Sequence, residues 1–173
     1  MSFKIAITGP ESTAKSTLAV QLSMYYKCTL IVEYSREYLH SFGPDYSSND
    51  ILQMSKIHNN KLMKFVSNET MQIWDTDLLT YYIWYRYKFK IWNRDLQDLW
   101  LSNPADYYLI CMPDIPWFYD PLRENPEDRD ALFKQYLNVI FGKQLKFGIV
   151  SGVGNQRLMN AIHSIQSQIR KIM

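Results

Sequence analysis

The chain has 173 residues, a length that suits one domain with its own hydrophobic core, spanning residues 1–173. Hydrophobic residues make up 47% and charged residues 21%, as is ordinary for a soluble globular protein, and the net charge of +2 gives no reason to expect a nucleic-acid or membrane partner. Two cysteines, no signal peptide and no apolar run near the roughly 18 residues that span a bilayer favour a cytoplasmic protein.

The first three predicted elements surround a short loop. Residues 4–8 form an apolar run that predicts a strand, and this run ends at Gly9 and Pro10. Residues 15–26 carry apolar side chains along one helical face and predict a helix. A second buried strand is predicted over residues 30–32, so a strand, a loop and a helix lead into another strand.

The middle of the chain is predicted to repeat this alternation. Residues 36–42 favour a short helix or turn, and residues 50–67 favour a longer helix for which Asn49 is a plausible cap. A third strand over residues 71–74 precedes a helix over residues 78–87. The order of elements remains strand followed by helix.

The last part of the chain adds two more strands. Residues 107–112 predict the fourth strand, and the segment after it, about residues 113–130, is proline-rich, charged and irregular. A helix over residues 131–142, a strand over 147–150 and a helix over 155–171 complete the chain. Short apolar strands that alternate with helices predict an α/β fold, with a five-stranded parallel sheet and helices on both faces.

The loop after the first strand carries the strongest motif. Residues 9–17 read Gly-Pro-Glu-Ser-Thr-Ala-Lys-Ser-Thr, close to the pattern of a phosphate-binding loop (P-loop). Its backbone N–H groups and the helix N-terminus can surround phosphates, Lys15 can neutralise the β- and γ-phosphates, and the Ser16 hydroxyl can ligate Mg²⁺. We therefore expect a P-loop NTPase fold; the alternative is a strand–turn–helix corner with an incidental lysine. The expected nucleotide-binding residues are Gly9, Glu11, Ser12, Thr13, Ala14, Lys15, Ser16 and Thr17.

Ala14 stands where the loop pattern has its second glycine. Its methyl group lies close to the expected path of the phosphates. The substitution costs little if Ala14 has a helix-like φ, and it is costly if φ is positive, because a Cβ atom disfavours that conformation.

Acidic residues follow three of the predicted strands. Ligands of doubly wound sheets bind beyond the carboxyl ends of the strands, where Glu33, Asp75 with Asp77, and Asp114 are expected. A carboxylate there can hold Mg²⁺ or accept the proton of an attacking hydroxyl. We expect catalytic roles for Lys15, Glu33 and Asp75, and a metal site at Ser16 and Asp75. Each acid alone could instead be a solvated loop charge or a helix cap.

Two arginines lie in the irregular segment that follows the fourth strand. Arg123 and Arg129 could be brought over the phosphates by a mobile lid over about residues 113–130, where they would meet charge on the transferring group and exclude water. We expect both to be catalytic. The alternative is that they form surface ion pairs with Glu127 and Asp128.

Five motifs in chain order resemble the nicotinamide riboside kinase domain of the bacterial NAD-biosynthesis regulator, within the AAA-type ATP-binding families. They are the loop at 9–17, Glu-Tyr-Ser-Arg-Glu-Tyr at 33–38, Asp-Thr-Asp at 75–77, Asp-Ile-Pro-Trp at 114–117 and Asp-Pro-Leu-Arg-Glu-Asn-Pro-Glu-Asp-Arg at 120–129. Two positions depart from the family: Ala14 replaces a glycine, and Met112 stands where relatives often carry an acid.

The resemblance implies ATP and Mg²⁺ as cofactors and phosphoryl transfer to the 5′-hydroxyl of nicotinamide riboside. It implies substrate binding by Glu33, Tyr34, Arg36, Glu37, Asp77 and Trp117. The family's regulator also has a helix-turn-helix and an adenylyltransferase domain, and the chain carries no His-x-Gly-His motif, so we expect neither DNA binding nor adenylyl transfer. The alternative function is an ATP-binding regulatory module, or a slow ATPase, without a small-molecule acceptor.

Overall fold

The computed structural model describes residues 2–64 and 70–171 and contains the predicted five-stranded parallel sheet. The strand order is β2-β3-β1-β4-β5, which places β1 at the centre. The strands are β1 (Phe3–Thr8), β2 (Thr29–Ile31), β3 (Met71–Asp75), β4 (Tyr107–Cys111) and β5 (Phe147–Val150). The second strand therefore lies one residue earlier than predicted, and the fourth ends one residue earlier.

Seven helices accompany these strands in the described residues. They are α1 (Lys15–Tyr26), α2 (Ser35–Phe42), α3 (Ser48–Lys64), α4 (Leu78–Phe89), α5 (Arg94–Ser102), α6 (Arg129–Gly142) and α7 (Asn155–Arg170). None of those described has both the length and the apolar character required to cross a membrane.

The helix α5 was not predicted from the sequence. Its N-cap is Asn93, whose side chain accepts a hydrogen bond from the backbone N–H of Leu96 at 2.9 Å. Leu96 and Trp100, four residues apart, are the buried face of the helix. The prediction of Asn49 as the cap of α3 was wrong, because that helix already begins at Ser48. The predicted end of this helix at residue 67 lies outside the described residues.

Side chains that alternate along the strands face two separate cores, as expected for a sheet covered on both sides. In β1, Ile5 and Ile7 pack with α1 and α7, whereas Ala6 faces the larger core formed with α2 to α6. The larger core is rich in aromatic side chains, and Trp74 and Trp100 are fully buried in it. The two layers hold the carboxyl ends of the strands in one row.

Gly9 brings the loop after β1 against the neighbouring strand. Its φ is +131°, and a Cβ atom added here would lie 2.7 Å from the backbone oxygen of Cys111 at the end of β4. Any other residue would therefore push the loop away from the sheet. This close approach sets the position of the loop at the centre of the sheet edge.

Candidate active site

A cavity of about 370 Å³ opens at the carboxyl ends of β1, β2 and β3. Every residue of the loop at 9–17 lines this cavity. Glu33, Arg36, Asp75 and Arg123 lie on its wall as well. The fold thus brings the predicted phosphate loop, two of the predicted acids and one predicted lid arginine into one space.

The loop backbone adopts the left-handed conformation at two residues that are not glycine. Ser12 has φ of +53° and Ala14 has φ of +57°, so the alanine occupies the costly conformation for which glycine is preferred. Ala14 is the N-cap of α1, and its side chain carries no oxygen that could cap the first N–H groups of that helix. Those N–H groups can therefore bind an anion.

Lys15 is held close to the loop that it is predicted to serve. Its Nζ donates a hydrogen bond to the backbone oxygen of Pro10 at 2.6 Å, and the Thr13 hydroxyl donates to the same oxygen at 2.8 Å. Both bonds fold the loop back on itself at the mouth of α1. The lysine charge lies beside the backbone groups that would surround a phosphate.

Asp75, the last residue of β3, has the properties of a metal-binding carboxylate. It is 4% exposed, and within the described part of the chain its Oδ1 has no hydrogen-bond partner. Burial, and then the charge of Glu33, raises its pKa to about 6, whereas contact with the Ser16 hydroxyl lowers it. A buried oxygen without a partner next to a serine hydroxyl fits Mg²⁺, for which Ser16 and Asp75 would be the protein ligands.

No group of three or more His, Cys, Asp and Glu residues with metal-binding geometry occurs in residues 2–64 and 70–171. A magnesium ion held by Ser16 and Asp75 would therefore need further oxygen ligands, which phosphate groups and water can supply. Such sharing between protein and nucleotide is usual for Mg²⁺ in phosphoryl-transfer sites.

Glu33 follows β2 and reaches the same cavity from the other side of Asp75. The hydroxyl of Ser35, in the first turn of α2, donates to Glu33 Oε1 at 2.5 Å and fixes the carboxylate. Arg36 also lines the cavity, and its Nη2 donates to Asp120 Oδ2 at 2.9 Å. This ion pair is partly exposed and weak by itself, but it joins α2, at the wall of the cavity, to the irregular segment.

An aromatic and aliphatic wall completes the cavity and was not predicted from the sequence. Trp84 and Tyr87 of α4 line it, and so does the buried Tyr136 of α6. Trp84 donates its indole N–H to the Tyr46 hydroxyl at 2.7 Å, which fixes the ring. The only signal in the sequence is the dense run of aromatic residues in α4, and that run is equally typical of a core helix.

The two predicted lid arginines are bound to the loop by different contacts. Arg123 Nη1 donates to the backbone oxygen of Phe118 at 2.6 Å and lies 3.4 Å from the Ser12 hydroxyl. Arg129 Nη1 donates to the backbone oxygens of Ile115 at 2.8 Å and Ser12 at 3.3 Å. Of these two arginines only Arg123 lines the cavity, whereas Arg129 contacts the loop through the backbone oxygen of Ser12.

Two of the acids predicted at strand ends serve the fold instead. Asp77 is 1% exposed, accepts hydrogen bonds from the N–H of Leu79 at 3.2 Å and the hydroxyl of Tyr108 at 2.9 Å, and caps α4. Burial raises its pKa to about 7. Asp114 pairs with the buried guanidinium of Arg157, which sequence reasoning missed. Neither acid lines the cavity, so the hypothesis of substrate binding by Asp77 finds no support in its position.

Three other predicted substrate residues also lie outside the cavity wall. Tyr34 packs under the Lys61 ammonium, which is 4.4 Å from the ring centre. Glu37 is exposed and pairs with Lys61 at 2.8 Å. Trp117 is half-buried with the Arg129 guanidinium 5.8 Å from its ring centre. The segment that follows β2 therefore contributes five residues to the cavity: Val32, Glu33, Ser35, Arg36 and Leu39.

The fold and the loop together define a P-loop nucleotide-binding protein. The chain belongs to the AAA domain family, whose sequence profile matches residues 4–157. Curated protein sequences give no match to the chain.

Solved structures share the fold at low sequence identity. The NadR protein in complex with NAD and AMP-PNP has a TM-score of 0.77 at 19% identity, covering 96% of this chain and 49% of that one. The NadR protein in complex with NR has a TM-score of 0.76 at 18% identity, covering 96% and 51%. Thymidylate kinase from Ehrlichia chaffeensis has a TM-score of 0.72 at 13% identity, covering 95% and 98%. The chain thus spans about half the length of the NadR chains that it resembles.

Proposed function

We propose that the protein is a kinase that transfers a phosphoryl group from ATP to a riboside hydroxyl, with nicotinamide riboside as the preferred acceptor. The observation that carries this proposal is the shared cavity, which is lined by the phosphate loop, by Glu33 and Asp75, and by the aromatic wall of Trp84, Tyr87 and Tyr136. A nucleotide switch needs only the loop, whereas a kinase needs the second half of this cavity. The NadR structures, one with NAD and AMP-PNP and one with NR, suggest the acceptor.

The donor half would bind ATP through the loop. Its backbone N–H groups and the N-terminus of α1 would hold the phosphates, and Lys15 would lie beside the β- and γ-phosphates. Mg²⁺ held by Ser16 and Asp75 would neutralise charge on the phosphates. Because the Asp75 carboxylate is buried, its charge is stabilised when a cation binds next to it.

The acceptor half would bind the riboside between Glu33 and the aromatic wall. The Glu33 carboxylate, held by Ser35, could accept the proton of the attacking hydroxyl, a contribution of roughly 10²–10⁴-fold to the rate. The ring of nicotinamide riboside is a flat cation, and a contact with the Trp84 face would contribute about 0.5–2 kcal/mol. Arg36 would contact the ribose or the transferring group.

The segment over about residues 113–130 would act as a lid. Arg123 lines the cavity, so it is the arginine placed to meet charge on the transferring phosphoryl group. Arg129 would act by positioning, since its guanidinium bonds the backbone of Ser12 within the loop. These contacts join the lid to the loop on which the phosphates would rest.

The experiment that tests the proposal is ADP formation by the purified protein with ATP, Mg²⁺ and a panel of ribosides that includes nicotinamide riboside, uridine and deoxyadenosine. Nicotinamide riboside is expected to give the highest kcat/KM. Glu33→Gln should lower kcat by about 10²-fold or more, whereas Glu127→Gln, at an exposed lid position, should not. If only another riboside is phosphorylated, the protein is a kinase but nicotinamide riboside is not its acceptor. If ATP hydrolysis is the same with and without every riboside, the ATP-binding regulatory module is favoured instead.

A further inference from the structure

One turn of the lid is held from both sides by carboxylates. Glu124 accepts hydrogen bonds from the Tyr46 hydroxyl at 2.5 Å and from the Lys88 ammonium at 2.7 Å. Tyr46 lies in the connection between α2 and α3, and Lys88 lies in the last turn of α4. The side chain of Glu124 therefore fastens the lid to the part of the fold that forms the acceptor side of the cavity.

The backbone of the same turn is fastened to the phosphate loop. The N–H groups of Glu124 and Asn125 both donate to Glu11 Oε2, at 3.1 Å and 3.0 Å. Burial of Glu11 raises its pKa, and these two N–H groups act in the opposite direction by stabilising the carboxylate. Because Glu11 is the third residue of the loop, movement of the lid turn would break a contact to the phosphate-binding backbone.

Trp84 connects this arrangement to the acceptor half of the cavity. The Tyr46 hydroxyl accepts the indole N–H of Trp84 at 2.7 Å and donates its own proton to Glu124. A hydroxyl has a single proton, so the direction of both bonds is defined. The Lys88 ammonium also lies 3.6 Å from the centre of the Tyr46 ring, which fixes the phenol in this position. A continuous path of hydrogen bonds thus runs from the cavity wall at Trp84 to Glu11.

We propose that Tyr46 and Glu124 form an acceptor latch, through which occupancy of the aromatic wall favours closure of the lid over the phosphate loop. Both are positioning residues for the reaction, and the coupling part of this inference rests on the proposed function. An acceptor that orders Trp84 orders Tyr46, and Tyr46 holds Glu124 and the lid turn. By thermodynamic reciprocity, nucleotide and acceptor then each tighten the binding of the other. The consequence for a kinase is that ATP is enclosed, away from water, when an acceptor is present.

The latch itself can be tested without any substrate, by amide hydrogen exchange in the lid. Glu11→Gln, Tyr46→Phe and Glu124→Gln should each speed exchange at the amides of Glu124 and Asn125 by roughly tenfold or more, since each loses a charge-assisted hydrogen bond. Two controls accompany them. Tyr82→Phe removes a hydroxyl that donates to Gln97 at 3.2 Å on the far side of α4, and Glu127→Gln removes an exposed lid charge. Unchanged exchange at both amides in Tyr46→Phe and in Glu124→Gln would overturn the latch, whatever the result for Glu11→Gln.

The coupling is tested by the affinity for AMP-PNP with Mg²⁺, with and without saturating nicotinamide riboside. In the parent and in Tyr82→Phe, the riboside should tighten AMP-PNP binding by about fivefold or more. In Tyr46→Phe and Glu124→Gln this factor should fall to near one, while the affinity for AMP-PNP alone changes less than about threefold. A variant that folds poorly would bind AMP-PNP more weakly both with and without the riboside, and its melting temperature would fall. A change in the ratio of the two affinities alone is therefore specific to coupling.

The outcomes separate this inference from the proposed function. Turnover of nicotinamide riboside by the parent, together with a coupling factor unchanged in Tyr46→Phe and Glu124→Gln, would overturn the coupling while keeping the kinase. If none of the ribosides is phosphorylated, the proposed function is contradicted. The rates of amide hydrogen exchange at Glu124 and Asn125 would still decide whether the latch holds the lid turn.

Discussion

Replacing Ala14 with glycine should stabilise the protein, although glycine usually destabilises a helix when it replaces alanine in the interior. Ala14 is held at φ +57° and ψ +31°, in the left-handed region, as the N-cap of α1. The Cβ atom of an L-residue in this conformation crowds the following carbonyl and costs about 1–2 kcal/mol. Glycine has no Cβ and is relieved of this cost.

The expected size follows from two opposing contributions. Glycine relieves about 1–2 kcal/mol of strain in the folded state. Its greater conformational freedom also stabilises the unfolded chain by roughly 0.4–1 kcal/mol, which opposes the gain. The net gain in the free energy of unfolding therefore lies between about 0 and 1.6 kcal/mol and is centred on roughly 0.8 kcal/mol. For a chain of this size, 1 kcal/mol raises the melting temperature by about 2–4 °C, so Ala14→Gly should raise it by roughly 1–4 °C.

The assay is thermal unfolding of the nucleotide-free protein, repeated in urea to obtain the free energy. Ala131→Gly is the matched control, because Ala131 is an exposed residue in the first turn of α6. There glycine should lower stability by up to about 1 kcal/mol. Equal destabilisation by both substitutions would refute the reasoning, since it would mean that the loop holds Ala14 without strain. ATP affinity of Ala14→Gly should be unchanged or slightly higher, because the methyl group is lost beside the phosphate path.

Three further substitutions test the loop and the buried carboxylate. Lys15→Ala should weaken ATP binding by roughly 10–150-fold without change in the far-UV circular dichroism, because it removes the loop's only side-chain cation; equal affinity would contradict its role. Gly9→Ala should cost roughly 2–4 kcal/mol by urea unfolding, since the new Cβ lies 2.7 Å from the Cys111 oxygen, and an unchanged midpoint would show that β4 yields freely. Burial, and then Glu33, raises the pKa of Asp75 to about 6, so the fold loses stability as pH rises from 4 through 6. At pH 8 the Asp75→Asn variant should therefore be more stable than the parent, with a free energy of unfolding higher by up to about 3 kcal/mol and a higher melting temperature. At pH 4 the two proteins should differ little. An equal difference at both pH values would contradict this reasoning.

Much of the phosphate loop and its surroundings could be predicted from the sequence because the signals are local. The strand, the loop at 9–17 and the helix after it are contiguous, and the backbone of such a loop follows from residues that are neighbours in the chain. The alternation of apolar runs with helical periodicity was sufficient for five parallel strands, since buried parallel strands are nearly continuous in their apolar character. The short helix α5 was not predicted, because its buried face consists of only Leu96 and Trp100, which is too few residues to show a helical period.

What only the tertiary structure decided is which of the candidate side chains share a space. Asp75 and Asp77 are two residues apart in the sequence, yet one ends β3 in the cavity and the other turns inward to cap α4. Trp84 belongs to an aromatic helix in which Tyr81, Tyr82 and Tyr85 are buried, and the orientation of its ring depends on Tyr46, a residue 38 positions away. The sequence by itself determined the chemistry of the loop, because that chemistry depends on consecutive backbone groups. The rest of the cavity was decided by the packing of α2, α4, α6 and the segment at about residues 113–130 against one another, since contacts at such separations leave no periodic trace in the chain.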